Sequence, residues 1–374
     1  MAHLICRNTG ATYPIDDVRW RSDSGALLDM VFTPAWDPER IRHRPANLWR
    51  YREALPIDPE TDIVSFGEGF TPLVPVVLGG REVQVKMDFL FPSGSYKDRG
   101  ATVMISQARA IGVHDVVQDS SGNAGCAVAA YCAKADIACE IFVPEDTAAG
   151  KLAQIALYGA QLNRVPGSRE DTAAAAMLAA NRHFYASHVW NPFFFQGTKT
   201  WAYEVCEQRD WQAPDTVILP AGNGTLILGA YIGFAELKAA GIIDRLPKLV
   251  GIQAAHCAPL YTAFHQQLPA VPALATQPTL AEGIAIALPQ RGMQMIEYVR
   301  ETGGTFLVVE KGEIKESLLA MCRQGFYIEP TSAAVIAGVA QYLRTQAAAD
   351  EQIVSVFTGH GLKSTEKLLK MSEW

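Results

Sequence analysis

FPSGSYKDRG, residues 91–100, sets Lys97 behind a turn broken by proline and glycine and at the start of a helical pattern. Ser95 stands three positions before Asp98, a capping spacing, and Val103, Met104, Ala108 and Ile111 then recur at helical intervals. Lys97 is therefore expected in the first turn of a helix. Two further segments repeat the design. DSSGNAG, from Asp119 to Gly125, leads into the helical run CAVAAYCAKA, and PAGNGT, from Pro220 to Thr225, follows the strand-like TVILP and opens LILGAYIGFAELKAAG. All three are loops that deliver a helix N-terminus, where backbone N–H groups gather and the helix dipole favours negative charge.

Outward from these loops, the runs Thr216 to Leu219, Leu249 to Ile252, Thr305 to Val309 and Ile353 to Phe357 alternate with long helical patterns. Strands are also expected near Val113 to Gln118 and Ala138 to Val143. Such alternation predicts an α/β protein with parallel sheets flanked by helices. The alanine-biased DTAAAAMLAANR beginning at Asp171 reads as helix, since alanine is the best helix former. At 374 residues and 49% apolar content the chain has material for two cores. We expect a large domain over 35–94 and 188–374, a small α/β domain over 95–187 carrying Lys97 and Asn123, and a separate N-terminal segment over 1–34.

The formal net charge is −7 with both signs interspersed, which offers no basic face to nucleic acid or to an acidic membrane. No stretch approaches the ~20 apolar residues of a membrane span. MAHLICRNTG lacks the basic flank and apolar run of a secretory signal, so the cytoplasm is the expected location. The seven cysteines are an odd number without paired ligand spacing and read as reduced thiols, with no metal site expected.

The three loops supply what pyridoxal 5'-phosphate requires: an amine for an imine, an amide for the ring, and glycine-backed donors for the phosphate. A free lysine amine, with a pKa near ~10.4, is largely protonated at neutral pH. A helix N-terminus, with burial against Phe89, Phe91 and Tyr96, disfavours the ammonium form and makes Lys97 a plausible imine-forming residue. The GNGT loop departs from GxxxxGK and from GxGxxG, because Thr, Leu and Ile follow Gly224. Thr358 sits where the strand IVSVF ends, at the carboxyl edge where α/β sheets keep their ligands. A neutral hydroxyl there is expected to leave a facing pyridine nitrogen largely unprotonated, which favours elimination over transamination. His360 reads as a loop histidine satisfied by the backbone sooner than as a general base.

As a set, PSGSYKDRG, SSGNAG, NPFFFQGTKTWAYEV, PDTVILPAGNGT, GFYIEPTSA and TGHGLK resemble, in the same order, the threonine synthase family of fold-type-II pyridoxal-phosphate enzymes. The resemblance covers most of the chain. It implies a two-domain fold like that of tryptophan synthase β, and the following roles. Lys97 forms the imine with the cofactor, Asn123 bonds the phenolic oxygen of the ring, Gly222, Asn223, Gly224 and Thr225 cradle the phosphate, and Thr358 meets the pyridine nitrogen. Ser121, Ala124, His188, Phe194 and Lys199 fall at positions expected to face the substrate. Glu282-Gly283 and Glu329-Pro330 match elements near the cofactor without an assigned role. A homodimer is implied as well.

Two departures qualify the resemblance. Family members often begin with a zinc ribbon built on two cysteine pairs. Here LICRNTGATYP and WRSDSGALLD keep Cys6 but carry Thr9, Ser22 and Ser24 in place of the other thiols, so a degenerate, metal-free ribbon is expected. Many threonine synthases also hold the substrate's phosphate with an Asn-Ser pair and an arginine. Here those positions read His188, Val189 and Phe194, which removes both charge and donors. The expected activity is therefore β- or γ-elimination or replacement on an amino acid, with altered substrate specificity. Threonine synthase acting on O-phospho-L-homoserine and a serine/threonine dehydratase (ammonia-lyase) are the alternatives. With the chain ending at Trp374, no effector-binding domain is expected. From another class, a protein that binds pyridoxal phosphate or an amino acid without turnover stays open. A nucleotide-binding protein would need a phosphate-loop lysine or a ribose-binding carboxylate that we do not find.

Overall fold

The computed structural model describes residues 2–147, 149–167, 169–274 and 277–371. The chain divides into two compact units. One takes Met1–Phe70, Phe91–Ser93 and Lys97–Thr198; the other takes Thr71–Leu90, Gly94–Tyr96 and Lys199–Trp374.

The first unit holds two sheets. Near the N-terminus His3–Cys6 pairs antiparallel with both Thr12–Tyr13 and Leu28–Val31. The second sheet is parallel throughout, in the order Gln161–Val165, Ala138–Pro144, Asp115–Gln118, Phe184–Tyr185. Helices Lys97–Ala110, Asn123–Ala135, Arg169–Ala179 and Pro192–Thr198 accompany it. Met104, Ile105, Tyr131, Ile141, Val143 and Phe194 are buried in its core. Leu48, Trp49 and Val64 join the same core, and the Trp49 indole donates to the Thr102 hydroxyl at 3.1 Å. The Thr102 hydroxyl in turn donates to the Val64 carbonyl at 2.7 Å. These bonds group residues 48–64 with the Lys97 helix, whereas the sequence reading placed 35–94 in the large domain.

The second unit is built on a six-stranded sheet in the order Thr305–Val309, Lys248–Ala254, Thr216–Pro220, Ile353–Val356, Arg81–Lys86, Leu73–Leu78. All neighbours are parallel except the last pair, an antiparallel hairpin. That hairpin turns on Gly79 and Gly80, both at positive φ (58° and 80°), as a two-residue turn matched to strand twist demands. Pro75 is tolerated because its strand lies at the sheet edge. Thr216–Pro220 and Ile353–Val356 are buried at every position, the mark of interior parallel strands covered on both faces. Helices Thr225–Ala239, Gly292–Glu301, Lys311–Arg323 and Pro330–Thr345 complete the unit. Among the described residues no helix is long and apolar enough to cross a membrane.

Candidate functional site

In the first unit Lys97 is the first residue of its helix, as the spacing predicts. The expected cap is displaced by two residues. Asp98 accepts hydrogen bonds from the Ser93 N–H at 2.8 Å and from the Ser93 hydroxyl, while the buried Ser95 hydroxyl has no hydrogen-bond partner. A capping spacing does not say which serine the turn will present. Lys97 is half-buried, and its Nζ lies 5.8 Å from the centre of the Phe194 ring. Phe194 is fully buried and pressed against Gly100 so closely that a Cβ on that glycine would overlap the ring. His188, also buried, meets the same ring edge to face at 6.0 Å between centroids. The apolar surface beside Lys97 thus includes Phe194. Phe91, also expected there, stacks instead under the Arg99 guanidinium at 4.9 Å.

Asn123 is the first residue of its helix and is half-exposed, with Ser121 half-exposed and Ala124 buried around it. The tight loop depends on Gly125, where a Cβ would collide with the Ser120 carbonyl. Gly122, by contrast, has nothing closer to such a Cβ than the Ser120 hydroxyl at 3.9 Å, so the approach to this helix start is open.

In the second unit Gly224 adopts the left-handed conformation (φ 79°) at the N-terminus of Thr225–Ala239, and no side chain caps that helix. A Cβ on Gly224 would overlap the Met295 sulfur, and one on Gly222 would come within 3.0 Å of the Gly283 carbonyl. Only glycine fits at Gly224, and it leads into the positive end of a four-turn helix that no side chain caps. The Thr225 hydroxyl pairs with the Tyr96 phenol at 2.8 Å. Burial pushes that phenol well above its ordinary value, so it stays neutral. These residues fit a phosphorylated cofactor: uncapped helix start, enforced glycines, neutral hydroxyls.

Thr358 is fully buried at the end of its strand. Its hydroxyl donates to Glu329 Oε1 at 2.7 Å, and its backbone N–H donates to the Ser332 hydroxyl at 2.8 Å. The Tyr96 N–H donates to the Thr358 carbonyl at 3.0 Å, fixing the strand end. His360 Nδ1 accepts from the Leu362 N–H at 3.2 Å, and burial lowers its imidazole from the ordinary value. Glu282 pairs with Lys367 at 2.7 Å. Lys199, expected at the substrate, is instead fully buried with its ammonium 2.9 Å from Glu236 Oε1, while Tyr203 donates to the other oxygen. Sequence reasoning missed Glu329 and Ser332 as partners of Thr358. The only signal was the Glu329-Pro330 pair, matched to the family without a role, which depends on a tertiary contact.

In the N-terminal sheet Cys6 Sγ lies 3.8 Å from the Ser24 hydroxyl, which is 2.9 Å from that of Ser22. Among the described residues no group of three or more His, Cys, Asp or Glu is placed to hold a metal ion.

A family model described as "Pyridoxal-phosphate dependent enzyme" matches residues 64–359. The threonine synthase of Methanocaldococcus jannaschii is 36% identical over 382 residues, covering 98% of this chain and 94% of that protein. That of Methanosarcina acetivorans is 33% identical over 386 residues, covering 100% and 95%. Among solved structures, maize serine racemase aligns with a TM-score of 0.67 at 20% identity, over 82% of this chain and 94% of that one. The processed form of threonine deaminase isoform 2 from Solanum lycopersicum aligns at 0.68 and 20% identity, over 91% and 90%.

Proposed function

The chain belongs to the threonine synthase family of pyridoxal-phosphate-dependent enzymes, and from that premise we propose a lyase or synthase whose substrate is less charged and more apolar than O-phospho-L-homoserine. The observation that carries the proposal is the buried Phe194 ring 5.8 Å from Lys97 Nζ, with His188 against it. A phosphate group near that ring would lose water without gaining the bidentate donors that a guanidinium supplies. Forfeiting charge-assisted hydrogen bonds costs about 1.5–3 kcal/mol each, enough to shift preference by one to two orders of magnitude.

Pyridoxal phosphate, when bound, supplies an electron-withdrawing ring that lets an attached amino acid lose its α-proton. The chain's own residues divide the remaining work. Lys97 Nζ would hold the cofactor covalently and would carry the α-proton. Asn123 would orient the ring through its amide, and Gly222, Asn223, Gly224 and Thr225 would bind the phosphate at the helix start. Thr358 would meet the ring nitrogen, as the family resemblance implies. Ser121 and Ala124, at the open helix start, are assigned to the substrate side with His188 and Phe194. The N-terminal sheet is read as a ribbon that has lost its metal, supported by hydroxyls where thiols would be needed. The family resemblance supports a cytoplasmic homodimer.

The test is the visible absorption of the purified protein and of Lys97→Ala, titrated with amino acids and O-activated serine and homoserine derivatives. We expect a band that Lys97→Ala loses, and a shift with an uncharged or apolar substrate. Efficient threonine release from O-phospho-L-homoserine would overturn the substrate assignment. An intact band that no amino acid shifts would overturn turnover altogether.

A further inference from the structure

The N-terminal sheet has a core of its own in Leu4, Cys6 and Leu28, but Trp20, in the loop between Thr12–Tyr13 and Leu28–Val31, is buried elsewhere. It packs with Val117, Ala176, Ala180 and Tyr185 against the parallel sheet. Its two ring neighbours stand on either side of a single turn. Trp20 meets Tyr185 at 5.1 Å between centroids and Trp190 at 5.2 Å, edge to face in both cases. Tyr185 ends the strand Phe184–Tyr185 and Trp190 closes the turn that follows, so His188 lies between the two braced residues. The Arg21 guanidinium covers the indole at 4.5 Å.

Hydrogen bonds fix one limb of that turn better than the other. On the strand side the Ala186 N–H donates to the Val117 carbonyl at 2.9 Å, and the fully buried Gln118 amide donates to the Ala186 carbonyl at 2.6 Å. On the far side the Val189 and Trp190 N–H groups reach the Ser187 hydroxyl only at 3.3 Å, with the Asn191 N–H to the Ser187 carbonyl at 3.1 Å. The far limb therefore leans on ring packing. A displacement of Trp190 passes back to His188 and forward through Asn191, whose Oδ1 accepts from the Phe193 N–H at 3.0 Å, toward Phe194.

We propose that Trp20 is a positioning residue for the substrate: the N-terminal segment braces the turn at residues 187–191 and so holds His188 against Phe194. An edge-to-face aromatic pair is worth up to about tenfold in an equilibrium. The inference rests on the reading that His188 and Phe194 lie on the substrate side.

Hydrogen exchange followed by mass spectrometry, on the full-length protein reconstituted with pyridoxal phosphate, tests the brace without any substrate. In Trp20→Ala we expect exchange across residues 186–191 to rise about tenfold. Residues 123–135 and the visible band should stay as in the wild type, and Trp20→Phe should restore most of the protection. Unmoved exchange at 186–191 in a folded Trp20→Ala would overturn the brace, as would a rise spread evenly over the unit. Should Trp20→Ala not fold, Trp20→Leu, which keeps bulk without a ring, is read in the same way. Titrating the visible band with L-serine and with O-acetyl-L-homoserine then reads the consequence. We expect half-saturation to need about tenfold more probe in Trp20→Ala at unchanged cofactor affinity; an unaltered half-saturation despite a loosened turn would overturn the role toward substrate. His188→Ala separates this inference from the reading beneath it. If that variant titrates like the wild type while Trp20→Ala loosens the turn, the placement of His188 at the substrate fails and the brace stands. A wild-type band that neither probe shifts counts against the proposed function, and the exchange result still decides the brace.

Discussion

At the scale of single residues, Gly224 is the sharpest probe of the phosphate cradle, because both its backbone and its surroundings reject a side chain. Gly224→Ala must hold φ near 79° and find room beside Met295. Left-handed backbone strain of this kind costs about 1–3 kcal/mol, and the overlap adds to it. We expect lower stability in urea denaturation together with weaker cofactor binding by fluorescence titration; wild-type values for both would show that the loop is not constrained as described. The glycine itself was legible in GNGT, since a strand running into a helix through Gly-Asn-Gly is a local pattern. Its necessity was not, because Met295 reaches it only through the fold. Ser95 illustrates the same limit, for a spacing of three pointed to it while the turn presented Ser93 to Asp98. Phe194 beside Lys97 was legible as a substituted position in a motif but not as the ring that fills the space over Gly100.

At the scale of elements, Lys199 and Glu236 join the helices Thr200–Glu207 and Thr225–Ala239 through a buried ion pair. Burial lowers the Lys199 ammonium from its ordinary value and raises the Glu236 carboxyl, so each charge depends on the other. Removing one member leaves an uncompensated charge: Lys199→Met should cost about 3–5 kcal/mol, whereas Lys199→Met with Glu236→Leu should be near neutral. Chemical denaturation of the single and double variants checks this. If the double variant also keeps its visible band and substrate response, Lys199 serves packing; if it loses the response while staying folded, Lys199 serves the substrate. A second element-level contact, Arg44 with Glu53, is pH-sensitive. The guanidinium holds the Glu53 carboxyl down at about 2 against an ordinary 4.5. A depressed folded-state value means stability that is present above about pH 4.5 and lost as the pH falls toward 2. The pair is partly exposed, so the contribution is less than about 1 kcal/mol. Glu53→Gln should accordingly be slightly less stable than the wild type at pH 7 and indistinguishable from it near pH 2, measured by thermal melts across that window. Strands and helices around these contacts were readable from apolar runs and periodicity. The pairing of Lys199 was not, because a lysine in a family-like motif reads equally as a ligand contact or as half of a buried pair.

At the scale of the whole molecule, the hydroxyls that stand with Cys6 predict indifference to metal. Treatment with EDTA should leave the melting temperature unchanged and metal analysis should find no stoichiometric zinc; a chelator-induced drop of several degrees would show that the N-terminal sheet still binds an ion. The α/β class was legible from alternating strand and helix patterns, and six parallel strands fell where they were expected, whereas Arg81–Lys86, Gln161–Val165 and Phe184–Tyr185 were not anticipated. The grouping of residues 48–64 with the Lys97 helix was hidden, because it rests on side-chain bonds such as Trp49 to Thr102 and not on any local pattern. Strand order was likewise hidden, and it has a consequence for how the protein is made. Arg81–Lys86 lies between its hairpin mate and Ile353–Val356, so one of its edges waits for a strand near the end of the chain. The span is long: Arg81 donates to the Glu351 carbonyl across 270 positions. At ribosomal rates of about 5–20 residues per second, that edge emerges roughly 15 to 55 seconds before its partner exists. During that interval the nascent hairpin presents an open row of peptide groups to any passing strand, so shielding of this edge during translation bears on the yield of folded protein alongside the stability of the finished sheet.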